Sequence, residues 1–291
     1  MPIYEQTYRE YDGNYRQNFR WWIIIRQELR LLLKSRFFLL TLLVSMLHFI
    51  LRLMQITAYD VIAQDPNSPL AQAFSNIQDL EVNGMMFYDF LRMQSFIIFL
   101  VVLFAGSGMI CNDVKNNLME IYFSKPITWK DYALGKILSL SLIGAVHSLI
   151  PAIVLVVMHN LMLPGMDTFK DSIPWFFAII GYSIVVVAPT TLAVLAGSAL
   201  IRSKNFAAVS VLMVLLANSM LGLTLGGVLR EPNYFAVSFP VAINHVGQHF
   251  FGDTRLMFPL RYEWTLAYVV AVCLGALLII LRRIKKAEVA L

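Results

Sequence analysis

The chain is short of charge, of cysteine and of most patterns that carry chemistry, and each shortage excludes something. Only 14% of its 291 residues are charged, against 58% hydrophobic, with a mean hydropathy of +0.67. Soluble domains run to about 25% charged residues, so a water-soluble globule is excluded. There are two cysteines, Cys111 and Cys273, at different depths of two separate apolar runs. A disulfide needs Cα atoms within about 7 Å, so no disulfide framework is expected.

Motifs of catalysis are missing too. Gly135-Lys136 is followed by Ile137 and has no upstream glycine loop, so the chain does not itself cradle a nucleotide in that way. His245 and His249 stand four residues apart, but Gly247 interrupts the helix between them and no third ligand is evident, so no metal site is expected. Gly106-Ser107-Gly108 lacks the spacing of a nucleophile elbow. The absence with most weight is acidic. Six apolar runs, Phe37–Met54, Ser95–Cys111, Ile137–Leu163, Trp175–Leu200, Phe206–Leu229 and Trp264–Leu281, contain no Asp or Glu. Ion-driven carriers place ionisable groups near the membrane midplane, so energy for any uphill transport must come from another polypeptide.

Those six runs are what the chain does have. Each approaches the length needed to cross about 30 Å of hydrocarbon, and with no alternating strand pattern they read as helices. The fold class is therefore an all-α integral membrane protein of six transmembrane helices over residues 37–281. Six spans put both ends on one side. Seven basic residues precede or include Arg36, four lie in Asn112–Lys136, two in Arg202–Lys204 and four after Leu281, 17 of the 23 in all. The positive-inside rule makes that side cytosolic, with both termini inside and the chain multi-pass in the inner (cytoplasmic) membrane. The net charge of +5 thus reflects topology, and no nucleic-acid partner is implied.

Residues 1–36 read as a cytosolic segment and an interfacial elbow. Met1–Arg20 is polar, with Glu5, Glu10 and Asp12, and does not resemble a cleavable signal peptide. Tyr4, Tyr8, Tyr11 and Tyr15 form a helical stripe, as an interfacial anchor or a docking strip. From Phe19 to Arg36, Trp21, Trp22, Ile25, Leu29 and Leu32 share one face and Arg20, Arg26, Arg30 and Lys34 the other, the pattern of a helix lying on a leaflet. Residues 55–94 form an outer loop. Pro151 and Pro189 should kink their spans, and Gly222 and Gly226 make a small-residue face for close helix packing. Residues 230–263 are too apolar for a solvated loop and too broken by Pro and Gly to span, so they read as a re-entrant outer segment. Residues 282–291 are a basic cytosolic tail.

The most informative stretch is the polar loop at residues 112–136. Val114, Leu118, Ile121 and Tyr122 recur at helical spacing, which predicts one amphipathic helix over Asn112 to Phe123. Pro126 stops it, and Thr128 with Asp131 has the spacing of a capping box for the next helix. The run Asp113, Leu118, Glu120, Ser124-Lys125-Pro126-Ile127-Thr128, Tyr132 and Leu134-Gly135-Lys136 resembles the first cytosolic loop of type-2 ABC exporter permeases. The order of elbow, six spans and outer segment resembles that family as well. Asn116-Asn117 and Trp129 depart from its usual residues.

The resemblance implies a half-transporter that works as a homo- or heterodimer with a second permease chain. Its coupling helix would dock on a separate cytosolic ABC ATPase, which binds ATP and Mg; no cofactor is expected in this chain, and it is not itself an enzyme. Asp113, Glu120 and Lys125 would then make polar contacts to that ATPase, Leu118 and Tyr122 apolar ones, with Ser124 and Pro126 in the adjoining turn. An alternative is a non-transporting membrane scaffold that uses the same ATPase for an envelope assembly process.

Overall fold

The computed structural model describes residues 19–65, 69, 81–163, 165–252 and 259–289. The tyrosine stripe and most of the loop after Gln64 lie outside them. The described elements are helical. In order they are α1 (Trp21–Leu33), α2 (Arg36–Gln64), α3 (Gly84–Gly106), α4 (Cys111–Lys115), α5 (Leu118–Phe123), α6 (Trp129–His147), α7 (Leu149–Met162), α8 (Met166–Leu200), α9 (Lys204–Leu229), a 3-10 turn (Pro232–Val237), α10 (Phe239–Phe250) and α11 (Tyr262–Val289). Six helical stretches are long and apolar enough to cross a membrane: Arg36–Gln64, Gly84–Lys115, Trp129–Met162, Met166–Leu200, Lys204–Leu229 and Tyr262–Ala287.

The helices α3 and α8 form the centre. Their apolar stretches are mostly buried, whereas those of α2, α9 and α11 are little buried and ring the outside. Helix α8 touches α3, α6, α7, α9, α10 and α11. Small residues permit the close approach: a methyl added at Gly106 would lie 2.4 Å from Leu140 Cδ2 and 2.8 Å from Val194 Cγ1. At one end of the bundle sit α1, α4, α5, the 201–203 turn and the last turns of α11; this is the loop end, and the other is the far end.

The prolines act differently from one another. Pro151 cannot donate to the carbonyl of His147, and the third span breaks next to that carbonyl, at Ser148 (φ −110, ψ −69), into α6 and α7. Pro189 instead lies within the unbroken 35-residue α8, as does Pro174. Beside it the Thr190 hydroxyl donates to the Val186 carbonyl at 2.6 Å.

Two expectations need correction. The first span runs past Met54 to Gln64, and the second begins at Gly84, so the outer loop is far shorter than residues 55–94. Asp60 therefore belongs to a span, buried at 0% exposure and 2.8 Å from His159 Nδ1. A window of hydropathy ends at the first polar cluster, but a helix continues where its polar groups find partners. Helix α1 turns Ile24 and Glu28 towards α6 and buries Ile25, while Trp22 and Ile23 are exposed at 51% and 66%. Gly135 of α6 makes room for this, since a Cβ there would lie 2.7 Å from Ile24 Cβ.

Within the far segment, residues 232–250 fold as the 3-10 turn and α10, packed on α8, α9 and α11. Gly222 and Gly226 face this turn: a Cβ at Gly222 would meet the Ser238 backbone nitrogen at 2.5 Å, and at Gly226 the Phe235 ring at 2.6 Å. The small face thus receives a short segment of the same chain. His245 and His249 are engaged separately, His245 Nδ1 with Thr265 Oγ1 at 3.1 Å and His249 stacked on Tyr262 at 4.1 Å. Cys111 and Cys273 are free thiols.

Candidate functional site

At the loop end the backbone leaves α3 in a short turn, forms α4, breaks, forms α5 and re-enters the bundle as α6. The single helix expected over residues 112–123 is two, because Asn117 adopts a left-handed conformation (φ 55) that ends α4 and starts α5. Asparagine tolerates that conformation better than other non-glycine residues, so the Asn116-Asn117 pair locates the break. The turn after α5 closes with Ser124 Oγ donating to the Ile121 carbonyl at 3.0 Å. The capping box is present as expected, Asp131 accepting from the Thr128 backbone at 3.1 Å while Thr128 Oγ1 accepts from the Asp131 backbone at 3.3 Å.

Beneath this loop lies a buried charge cluster. Lys136, 1% exposed, places Nζ 2.5 Å from Glu28 Oε1, 2.6 Å from Asp113 Oδ2 and 2.9 Å from the Met109 carbonyl. The Tyr132 hydroxyl donates to the same Asp113 oxygen at 2.7 Å. One ammonium therefore joins α1, the turn after α3, α4 and α6, with all three of its donors used. Asp113 accordingly faces inward, 7% exposed, and is a strut of the loop rather than part of its outer surface. The charge of Lys136, counted above with the surface basic residues, is likewise consumed inside. Arg20 adds a tie from the start of α1 to the Pro126 carbonyl.

A second pin comes from α8. Ser198 Oγ accepts from the backbone nitrogens of Ile110 and Cys111, both at 3.1 Å, and donates to the Ser107 carbonyl at 2.9 Å. It satisfies backbone groups that the break between α3 and α4 would otherwise strand in a dry interior. Any movement of the loop is thereby tied to the central helix.

What remains outside is α5. Met119 is buried, while Tyr122 and Phe123 pack on Tyr132 at 5.4 and 6.1 Å between ring centroids. Burial pushes the Tyr122 phenol above its ordinary range. The exposed crest carries Glu120, Ile121, Ser124, Lys125 and Pro126, and Ile121 is 55% exposed. Two grooves flank it. One of ≈ 450 Å³ lies between α5 and α1, lined by Leu118, Ile121, Tyr122, Ile23, Arg26 and Arg30 among others. The other, of ≈ 300 Å³, lies between α5 and the end of α11, with Glu120 facing Arg283 and Lys286.

The loop end of the six-helix bundle thus presents a ridge with an exposed isoleucine, held by buried struts. Comparison with known families agrees with that architecture: the family described as ABC-2 family transporter protein matches residues 22–281. The chain belongs to the ABC-2 transporter family. A search of curated proteins gives no match. As an ABC-2 permease it is a transmembrane subunit of an ABC transporter, the membrane component rather than the ATPase, and it partners with an ABC ATPase subunit.

Sequence reasoning missed Glu28, Met109 and Ser198 as parts of the site. Glu28 carried a detectable signal, being an acidic residue among Trp21, Ile24, Ile25 and Leu32 on the packed face of α1. Ser198 carried none, since one serine in an apolar helix has no periodicity.

Proposed function

We propose that this ABC-2 permease is an exporter subunit that works as a dimer, with α5 as the element through which the cytosolic ATPase drives it. The loop end then faces the cytosol, together with both termini, in the inner membrane; the basic residues gathered there support this. ATP and Mg are bound by the ATPase and not by this chain. The observation that carries the proposal is the exposed crest of α5. Glu120, Ser124, Lys125 and Pro126 supply its polar rim, Ile121 its apolar centre, and Leu118 and Tyr122 reach into the groove towards α1. A buried apolar anchor with a polar rim is how interfaces concentrate binding energy.

Closure of two ATPases on ATP would press each α5. The Lys136 cluster carries the displacement into α1 and α6, and Ser198 carries it into α8, so the bundle moves as a two-state element biased by its partner. The little-buried helices α2, α9 and α11 offer the surfaces for lipid and for the second permease chain. The α1 helix acts as the elbow at the inner leaflet, and the 3-10 turn with α10 as the segment dipping into the outer one.

Two measurements test this. The tagged permease should retain its ATPase through mild-detergent purification, and Ile121→Asp with Glu120→Lys should abolish that while leaving membrane insertion intact; retention of the ATPase by the variant would refute the docking assignment. In vesicles, the reconstituted pair should move a solute or lipid on addition of ATP. Hydrolysis with no movement of any cargo would favour a scaffold that uses the ATPase mechanically.

A further inference from the structure

The groove between α1 and α5 carries a charge that the residues around it leave unanswered. It holds ≈ 450 Å³, and Arg26 and Arg30 line it from α1. Both are exposed, and neither has an ion-pair partner among the described residues. They stand one helical turn apart, where like charges repel. No carboxylate among the described residues lines the groove. Glu28, on the same helix, is turned away to Lys136, and Glu120 lines the opposite groove with Arg283 and Lys286. The counter-charge therefore comes from outside these residues.

The remaining walls decide the chemistry of what answers it. Ile23, Leu118, Ile121 and Tyr122 make them largely apolar, and Ile23 and Ile121 are 66% and 55% exposed. A small inorganic anion gains nothing from such walls, whereas a phospholipid brings a phosphate for the guanidiniums and an apolar stem for the isoleucines. The depth suits a lipid as well. Only Lys34 and Ser35 separate α1 from α2, the first span, so the groove lies beside the hydrocarbon boundary. Trp22, next to Ile23, is a side chain enriched at that boundary. Phe19, Trp22 and Leu33 carry the exposed apolar surface of α1 beyond the groove, and an acidic partner in water would leave them wet.

We propose that this groove binds one anionic phospholipid, with its phosphodiester held by Arg26 and Arg30 and the start of an acyl chain lying along Ile23, Leu118 and Ile121. A guanidinium presents a planar fork of donors that matches phosphate oxygens, and two of them one turn apart reach the same group. A zwitterionic lipid carries the same phosphate but offsets it with its own amine, so the site prefers a lipid with net negative charge. Ile121 lines both the groove and the crest of α5, so a lipid seated there borders the surface assigned to the ATPase. The site itself does not rest on that assignment, and its test uses the permease alone.

The full chain, purified in mild detergent without an ATPase, is titrated with phosphatidylglycerol and separately with phosphatidylcholine, and native mass spectrometry reads the fraction that carries one lipid. Phosphatidylglycerol should bind the more tightly. Arg26→Gln and Arg30→Gln should each weaken it about fivefold, and together about 25-fold, to the level of phosphatidylcholine. Each single variant serves alone if the double one does not insert. Arg282→Gln with Lys285→Gln removes two exposed charges from the same end but outside the groove, and should change binding by less than about twofold. Glycerol 3-phosphate, which has the phosphate without the chains, should not displace the lipid. Equal binding of the two lipids, an equal loss in the Arg282 and Lys285 variant, or displacement by glycerol 3-phosphate would overturn the proposal. So would loss of ATPase co-purification from the Arg26 and Arg30 variant with lipid binding unchanged, which would give the two arginines to the ATPase.

Discussion

Removing the ammonium of Lys136 while keeping its shape, by Lys136→Met, tests the central claim about the loop. Lys136 is 1% exposed at its side chain, and its partners Glu28 and Asp113 are 13% and 9% exposed. The variant leaves two carboxylates facing each other in a space closed to most water, and strips a donor from the Met109 carbonyl. Breaking a buried ion pair from one side costs about 3–5 kcal/mol, so the full chain should lose about that much stability. Unfolding in detergent, followed through the tryptophans, measures it. The loss should come from stranded charge and not from lost volume. Adding Asp113→Asn and Glu28→Gln to Lys136→Met should therefore recover most of it, since removing every charge of a buried set is often neutral. The amide oxygen introduced by Asp113→Asn would still accept from the Tyr132 hydroxyl. A Lys136→Met variant within about 0.5 kcal/mol of wild type, the range of ordinary surface substitutions, would refute the strut. So would a triple variant no more stable than the single one.

Other substitutions separate the parts. Ser198→Ala strips a partner from two amides and a carbonyl at the α3–α4 turn, and should cost about 1–3 kcal/mol in the same unfolding measurement. Gly222→Val forces a side chain against the Ser238 backbone and should cost about 1–3 kcal/mol. Gly227→Ala, where an added Cβ meets nothing within 4 Å, should be neutral or stabilise α9 by up to about 1 kcal/mol. Lys125→Glu, on the exposed crest, should leave unfolding unchanged and weaken ATPase co-purification; unchanged co-purification would remove Lys125 from the contact.

Some features were legible because they are local. The Thr128–Asp131 cap follows from two residues at one spacing, and the break at Pro151 from a missing donor. The loop resemblance was legible because its residues are contiguous. The role of Asp113 was not: its charge and its place in an amphipathic stretch suit a surface contact equally well. It is buried only because Lys136, one helix later, and Glu28, more than eighty residues earlier, converge on it. The failure at Asp60 has the same origin. Hydropathy ends the first span at Met54, and only the imidazole of His159, nearly one hundred residues away, lets the helix carry a carboxylate further.

The sequence by itself determined the class of this protein: six helices that cross a bilayer, a basic end, and a polar loop of family-like residues. Lipid solvation acts on each segment separately, so composition suffices. The tertiary structure alone decided which polar side chains are struts and which are surface. A buried charge is tolerated only where a specific opposite charge meets it, and that meeting depends on how α1, α2, α6, α7 and α8 pack.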